Sequence, residues 1–252
     1  MIDERLKEKI EPKMNITPRS TPIIWFGDYA NSKVCTISLN PSDREFYNKP
    51  KDQIDYVKPE NLLKDKDERL CSREKLGKDD DQSLDDNDIK IIKDYCNNYF
   101  NNANYYKEWF DPLNNFLEEF GNYSFFNGSC VNLDIIQWAT TPKWKGLSSI
   151  NKEKLLKKDL NVLKFLLENK TFDIMFLNGK SVIKIVSDYL KIKLIYKSLS
   201  YKNNKNKEKK ITIFSGMYNK TKVIGWNLYF QYTFKNISNI KVFCDLIKNN
   251  IL

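Results

Sequence analysis

Short apolar runs alternate along this chain with longer stretches in which apolar residues recur every three or four positions. "TPIIWFGD" and "KVCTISLN" have the composition of two adjacent strands, joined by the turn-like Tyr29-Ala30-Asn31-Ser32. "YYKEWFDPLNNFLEEF" sets Trp109, Phe110, Leu113, Phe116, Leu117 and Phe120 at helical spacing, with Asp111-Pro112 as the helix start. After the "GNYSFFNGS" turn, "CVNLDIIQWATTPKW" reads as a strand and its exit loop. "NKEKLLKKDLNVLKFLLENK" then places Leu156, Leu160, Leu163 and Leu167 on one stripe of an amphipathic helix with a lysine-rich outer face, suited to covering a sheet. "FDIMFLNGKSVIKIVSDYL" runs strand, tight turn at Gly179 and helix, with Ser181 near the helix start. Strands "KLIYKSLS", "KKITIFSG" and "TKVIGWN" follow, and "NISNIKVFCDLIKNNIL" closes the chain as a helix.

This order predicts an α/β fold, a three-layer sandwich with a mainly parallel central sheet and ligands at the carboxyl ends of its strands. The 252 residues suit a single domain over 1–252. From about 48 to 104 the apolar pattern fades, and "KDDDQSLDDNDIK" is expected to be an acidic, solvated insertion or mobile loop. With 42 Lys plus Arg against 33 Asp plus Glu, the +9 balance favours a polyanionic partner, although a Lys- and Asn-rich proteome produces the same total. Absence of histidine excludes Ser-His-Asp and Cys-His nucleophilic machinery and Cys/His zinc sites. Cysteines 35, 71, 96, 130 and 244 form no C-x-x-C pair and read as reduced core thiols. The polar start "MIDERLKEKIEPK" lacks an apolar h-region, so a cytoplasmic protein without a membrane partner is expected.

Four strand exits carry polar or aromatic residues: Asn40-Pro41-Ser42, Asp134 with Gln137 and Trp138, Asn178-Gly179-Lys180, and Trp226-Asn227. Singly each is ordinary turn chemistry. Their joint order, "SLNPS", "NLD", "MFLNGKSV" and "GWN", resembles the uracil-DNA glycosylase superfamily over about residues 23–46 and 130–235. In its mismatch-type and single-strand-selective branches the first motif reads Gly, apolar, Asn, Pro, Gly; Ser38 and Ser42 stand here in place of the glycines. The resemblance implies a uracil-DNA glycosylase-like fold, with Asn40 holding the hydrolytic water, Phe46 stacking on an extruded base and Asp134 facing its Watson-Crick edge. It implies a monomeric, monofunctional enzyme acting on DNA with no cofactor and no metal. The last motif, usually His or Asn followed by Pro-Ser, supplies a loop that wedges into the duplex. This chain has Trp226, Asn227, Leu228 and Tyr229 there, and it lacks the paired cysteines of the iron-sulfur branches.

The chemistry is consistent with that pattern. Extruding a base costs about a few kcal/mol, offset by stacking and edge hydrogen bonds; Phe46 and Trp138 are the stacking candidates, and Asp134 and Asn178 the polar ones. Cleaving the N-glycosidic bond builds positive charge on the sugar and negative charge on the base, so donors such as the backbone N–H groups around Ser42 matter more than a strong nucleophile. Asn40 places a water through its side-chain carbonyl. A carboxylate at Asp134 only accepts, which favours the cytosine N4 amino group over uracil O4; a protonated Asp134 donates instead, and a loop cap is its structural alternative. Excising plain cytosine would destroy the host genome, so the expected target is a marked cytosine, such as the glucosylated hydroxymethylcytosine of some phage DNA. The superfamily includes bacterial defence enzymes of that sort. Arg44, Lys180 at a helix N-terminus, and the Trp226, Asn227 and Tyr229 loop are backbone-contact candidates, together with the ten lysines of residues 191–222 and the interleaved Tyr196, Tyr201 and Tyr218. Alternatives left open are a uracil-DNA glycosylase of base excision repair, an inactive DNA-binding relative, and an enzyme acting on free nucleosides or nucleotides.

Overall fold

The computed structural model describes residues 1–51, 53–202, 207–230 and 237–251. The chain gathers into two compact units, one of Met1–Gly27, Leu39–Tyr106 and Asp134–Leu166, the other of Asp28–Ser38, Lys107–Leu133 and Leu167–Leu252. Its strands are β1 (Val34–Ser38), β2 (Cys130–Asp134), β3 (Ile174–Asn178), β4 (Ile195–Lys202), β5 (Glu208–Tyr218) and β6 (Thr221–Trp226). Its longer helices are α1 (Ile2–Leu6), α2 (Asp86–Asn97), α3 (Lys107–Gly121), α4 (Ser149–Glu168), α5 (Lys180–Leu190) and α6 (Ile237–Ile251). No helix among the described residues is long and apolar enough to cross a membrane.

The second unit carries the six-stranded sheet in the order β2-β1-β3-β6-β5-β4, of which only the last residue of β2, Asp134, belongs to the first unit. β1, β3 and β6 pair in parallel, while β4, β5 and β6 pair antiparallel. The α/β class and the mainly parallel core of the sheet thus follow the sequence pattern. Phe116 of α3 meets Phe176 edge-on at 5.3 Å and Trp226 at 5.1 Å, and Phe243 of α6 meets Trp226 at 5.5 Å. Side chains alternate along a strand, so the neighbours Leu177 and Gly225 face the other way. There, Ile183 of α5 comes so near that its Cγ1 would lie 2.9 Å from a Cβ on Gly225. Helices therefore cover both faces. A polar seam joins β1 to β2: the hydroxyls of Thr36 and Ser38 both donate to Asn132 Oδ1, at 2.9 and 3.1 Å.

Three expectations need correction. "TPIIWFGD" is buried from Thr21 to Phe26 yet forms no strand: Pro22 has no N–H to give a ladder, and the segment bonds loops and a helix end instead, through Ile23 N to Gln137 O (2.7 Å), Thr21 Oγ1 to Cys71 O (2.7 Å) and Gly27 N to Cys96 O at the end of α2 (2.8 Å). Helix α3 starts at Lys107, which leaves Pro112 inside it. The acidic insertion is folded. Asp85 and Asp88 form a reciprocal capping box for α2, which buries Ile89, Ile92 and Cys96, and the wholly buried Arg73 donates to the carbonyls of Glu8, Ser20, Asp79 and Gln82. Its aspartates are used as partners, with Asp79 on Arg19 at 2.7 Å and Asp86 on Lys7 at 2.8 Å. Low apolar content signals disorder only where charges lack such partners. On α4 the buried face is wider than the predicted stripe and includes Leu155, Asp159, Val162 and Leu166, with Leu156 half-buried. All five cysteines are buried free thiols, as expected.

Candidate active site

β1 ends at Ser38 and β2 at Asp134, and the two exits are clamped by a backbone bond from Ile136 N to Leu39 O at 3.0 Å. That bond is one residue from Asn40 and two from Asp134, so the first unit brings these two candidates together. Asn40 is half-buried, and its Nδ2 donates to Pro41 O at 2.9 Å and to Thr140 Oγ1 at 3.1 Å. A peptide carbonyl only accepts, so the Pro41 contact settles which end of the amide is nitrogen. With both N–H groups engaged, Oδ1 is held in a fixed direction and, among the described residues, meets no protein donor. Asp134 is 5 % exposed. Its carbonyl accepts from Gln137 Nε2 at 3.2 Å, and the same amide nitrogen reaches Ile135 O at 3.1 Å and Asp159 O at 3.4 Å, so Gln137 fixes the β2 exit from within.

Ser42 caps a 3-10 turn over Asp43–Glu45, its Oγ accepting from Arg44 N at 3.2 Å. The N–H groups of Glu45 and Phe46 are likewise taken up inside the turn, by Ser42 O and Asp43 O; the loop thus binds most of the donors that were assigned to a base oxygen. Arg44 donates to Tyr106 Oη at 3.0 Å with its guanidinium 4.8 Å from the ring centroid, and Arg69 lies 5.3 Å from the same centroid. Between these arginines and the core sits Glu45, wholly buried, with Tyr99 Oη donating to it at 2.7 Å. Burial pushes its carboxyl from 4.5 up to about 7, against the opposing pull of Tyr99 and the two arginines.

Phe46 and Trp138 are each only 1 % exposed, and Arg5 lies over the Trp138 ring at 5.5 Å. A base stacks only on an open ring face, and in this conformation neither candidate has one.

In the second unit the candidates form their own network. Asn178 Oδ1 accepts from Trp226 Nε1 at 3.0 Å and Phe230 N at 3.2 Å, which ties the tip of β3 to the tip of β6. Trp226 is wholly buried among Phe116, Phe176, Phe230 and Phe243, so a wedging role for it is replaced by a core one. Asn227 extends the sheet, its N donating to Thr212 O and its Oδ1 accepting from Thr212 N, both at 3.1 Å. Tyr229, 37 % exposed, lies across Gly179, whose φ of +110° disfavours any other residue and where an added Cβ would lie 3.0 Å from the tyrosine ring. Lys180 is exposed at the first position of α5. Of the "YKNNKNKEKK" lysine run, residues 203–206 lie outside the described residues.

Thr140, a hundred positions from Asn40, carried no signal in the sequence; only the fold reveals that it orients the asparagine. Tyr99 and Arg69, which hold the Asp43–Glu45 turn, were concealed in the segment read as a solvated insertion, and their partner Tyr106 in the stretch read as a helix. No family model matches the chain, and neither does any curated protein.

Proposed function

We propose that this protein is a monofunctional DNA glycosylase of uracil-DNA glycosylase-like fold that removes a modified cytosine and leaves an abasic site. The observation carrying this reading is the Asn40 amide, both of whose N–H groups are bound to Pro41 O and Thr140 Oγ1 while Oδ1 stays available as an acceptor beside the Asp134 exit. A neutral, pre-oriented carbonyl is what a water needs to be aimed at a sugar carbon that is already becoming cationic. The C1′–N bond breaks with its electron pair leaving on the base, the water oxygen forms the new C1′–O bond, and the proton it releases passes through solvent to the departing base, so no histidine is required. β1 is also the strand at which the sheet order reverses between β2 and β3, where α/β sheets place their ligands. Asp134 supplies the acceptor for a cytosine N4 amino group. Because Phe46 is buried, the Ser42–Phe46 loop must shift for its ring to stack on a flipped base.

A second reading, a DNA-binding protein without catalysis, is favoured by the last motif, where Trp226 and Asn227 serve the core and the sheet and leave Tyr229 as the exposed member. Incubation with phage DNA containing glucosylated hydroxymethylcytosine, alongside oligonucleotides with uracil or unmodified cytosine, separates the readings. Free modified base and abasic sites from the phage DNA alone are expected. Release from uracil alone replaces the substrate assignment, and salt-sensitive binding without any base release establishes the second reading.

A further inference from the structure

A cavity of about 460 Å³ opens in the first unit, lined by residues of α1, the segment that follows it, the β2 exit loop and α4. Its walls are of two kinds. Ile16, Trp138 and Leu155 give it an apolar side, and five cationic residues against two carboxylates line the remainder. The charges do not cancel in place. Glu8 is taken by Arg5 and Lys158, at 2.5 and 3.6 Å, and Glu11 by Lys158 at 2.5 Å. Lys9, Lys154 and Lys157 are exposed and form no ion pair among the described residues, although Lys154 is near enough to Glu11 to help lower its carboxyl pKa, and Lys154 and Lys157 stand one turn apart on α4.

A second, independent observation lies at the cavity wall. Arg5 is 3 % exposed, and although its terminal nitrogens bind Glu8 and the wholly buried Asp159, its Nε has no hydrogen-bond partner among the described residues. A buried guanidinium donor left unmatched is costly. Nε itself is closed to solvent, so an acceptor oxygen in the cavity satisfies it only if the Arg5 side chain turns toward the opening.

We infer that this cavity is a phosphate-ester site: the ester oxygens engage the Lys9, Lys154 and Lys157 ammonium groups, with Arg5 as the cationic floor, and the body of a nucleotide lies along the apolar edge without stacking on Trp138. The ligand chemistry is the same for a free nucleotide and for a phosphate of a DNA strand; the cavity shares the β2 exit loop with the candidate active site but uses neither Asn40 nor Asp134, so its test does not depend on base release.

The test uses the whole chain and two probes, deoxycytidine monophosphate by calorimetry and a twelve-nucleotide single strand by salt-dependent anisotropy. Two variants are compared, Lys154→Gln with Lys157→Gln, and a control of equal charge, Lys33→Gln with Lys90→Gln, both made at exposed side chains, with circular dichroism used to check that each variant is folded. If free nucleotides are the source, the monophosphate binds the wild type and the control, and weakens by about tenfold or more in the cavity variant. If the strand is the source, the cavity variant lowers the salt slope of strand binding by about two, one per lysine removed, and the control does not. Equal losses in the two variants, or no binding of either probe by the wild type, overturn the inference.

Discussion

Arg5 and Asp159 form an ion pair that is almost wholly out of water, 3 % and 0 % exposed. Burial pushes the Asp159 carboxyl up to about 7 in spite of the guanidinium beside it, as expected where desolvation outweighs attraction. Removing the guanidinium removes the attraction that opposes this rise, so in Arg5→Ala the Asp159 carboxyl either takes up a proton or is left charged and unmatched; the loss in urea unfolding is expected to approach about 3–5 kcal/mol only at pH values well above 7, whereas Arg5→Met combined with Asp159→Leu costs much less. Glu45 has the same physics without an ion pair. Its folded pKa of about 7 lies above the ordinary 4.5, so between those values the folded protein keeps a proton that the unfolded chain has lost. Its contribution to stability is complete below about pH 4.5 and is lost as pH rises to about 7. Glu45→Gln keeps an acceptor for Tyr99 Oη but cannot titrate. The stability of wild type relative to this variant, read from urea midpoints at several pH values, should fall between pH 4.5 and 7; a flat difference would mean that Glu45 has an ordinary pKa.

Where β6 crosses beneath α5, Gly225 sets the spacing: an added Cβ would lie 2.9 Å from Ile183 Cγ1 and 3.1 Å from Leu177 Cβ. Gly225→Ala is expected to cost about 1–3 kcal/mol through overpacking. Adding Ile183→Ala should bring less than the sum of the two single losses, because the clash and the cavity offset each other. The strands β1 to β6 and the helices α4, α5 and α6 were readable because their apolar residues have one period and one environment. "TPIIWFGD" was not: it has the composition of a strand, and its burial is that of a strand, but its donors are used by Gln137 and Cys71. The insertion misled for the opposite reason, since Asp79, Asp85 and Asp88 look solvated in sequence and are partners in space. For the candidate site, the position of Asn40 and Asp134 at strand exits was legible from the apolar runs and the loop residues that end them; that β1 and β2 lie side by side is set by the sheet order and was not. The burial of Phe46, Trp138 and Trp226 was not, because an aromatic residue after a strand is compatible with either a core or an open ring face, and only the packing decides.

The +9 charge of the chain implies attraction to any polyanion, so DNA binding alone distinguishes little; base release does. What separates a glycosylase from a basic α/β protein is whether the Asn40 carbonyl directs a water. The most direct measurement is single-turnover release of base from oligonucleotides differing in one base, modified cytosines and uracil included, by wild type and by Asn40→Ala, with strand affinity measured in parallel. Wild type is expected to leave an abasic site in the modified-cytosine strand, and Asn40→Ala to lose about 10²–10³-fold of that rate with strand affinity unchanged and the melting temperature lowered only by the loss of its two hydrogen bonds. An Asn40→Ala variant as fast as wild type, or a wild type that binds every strand and releases no base, would contradict the proposal.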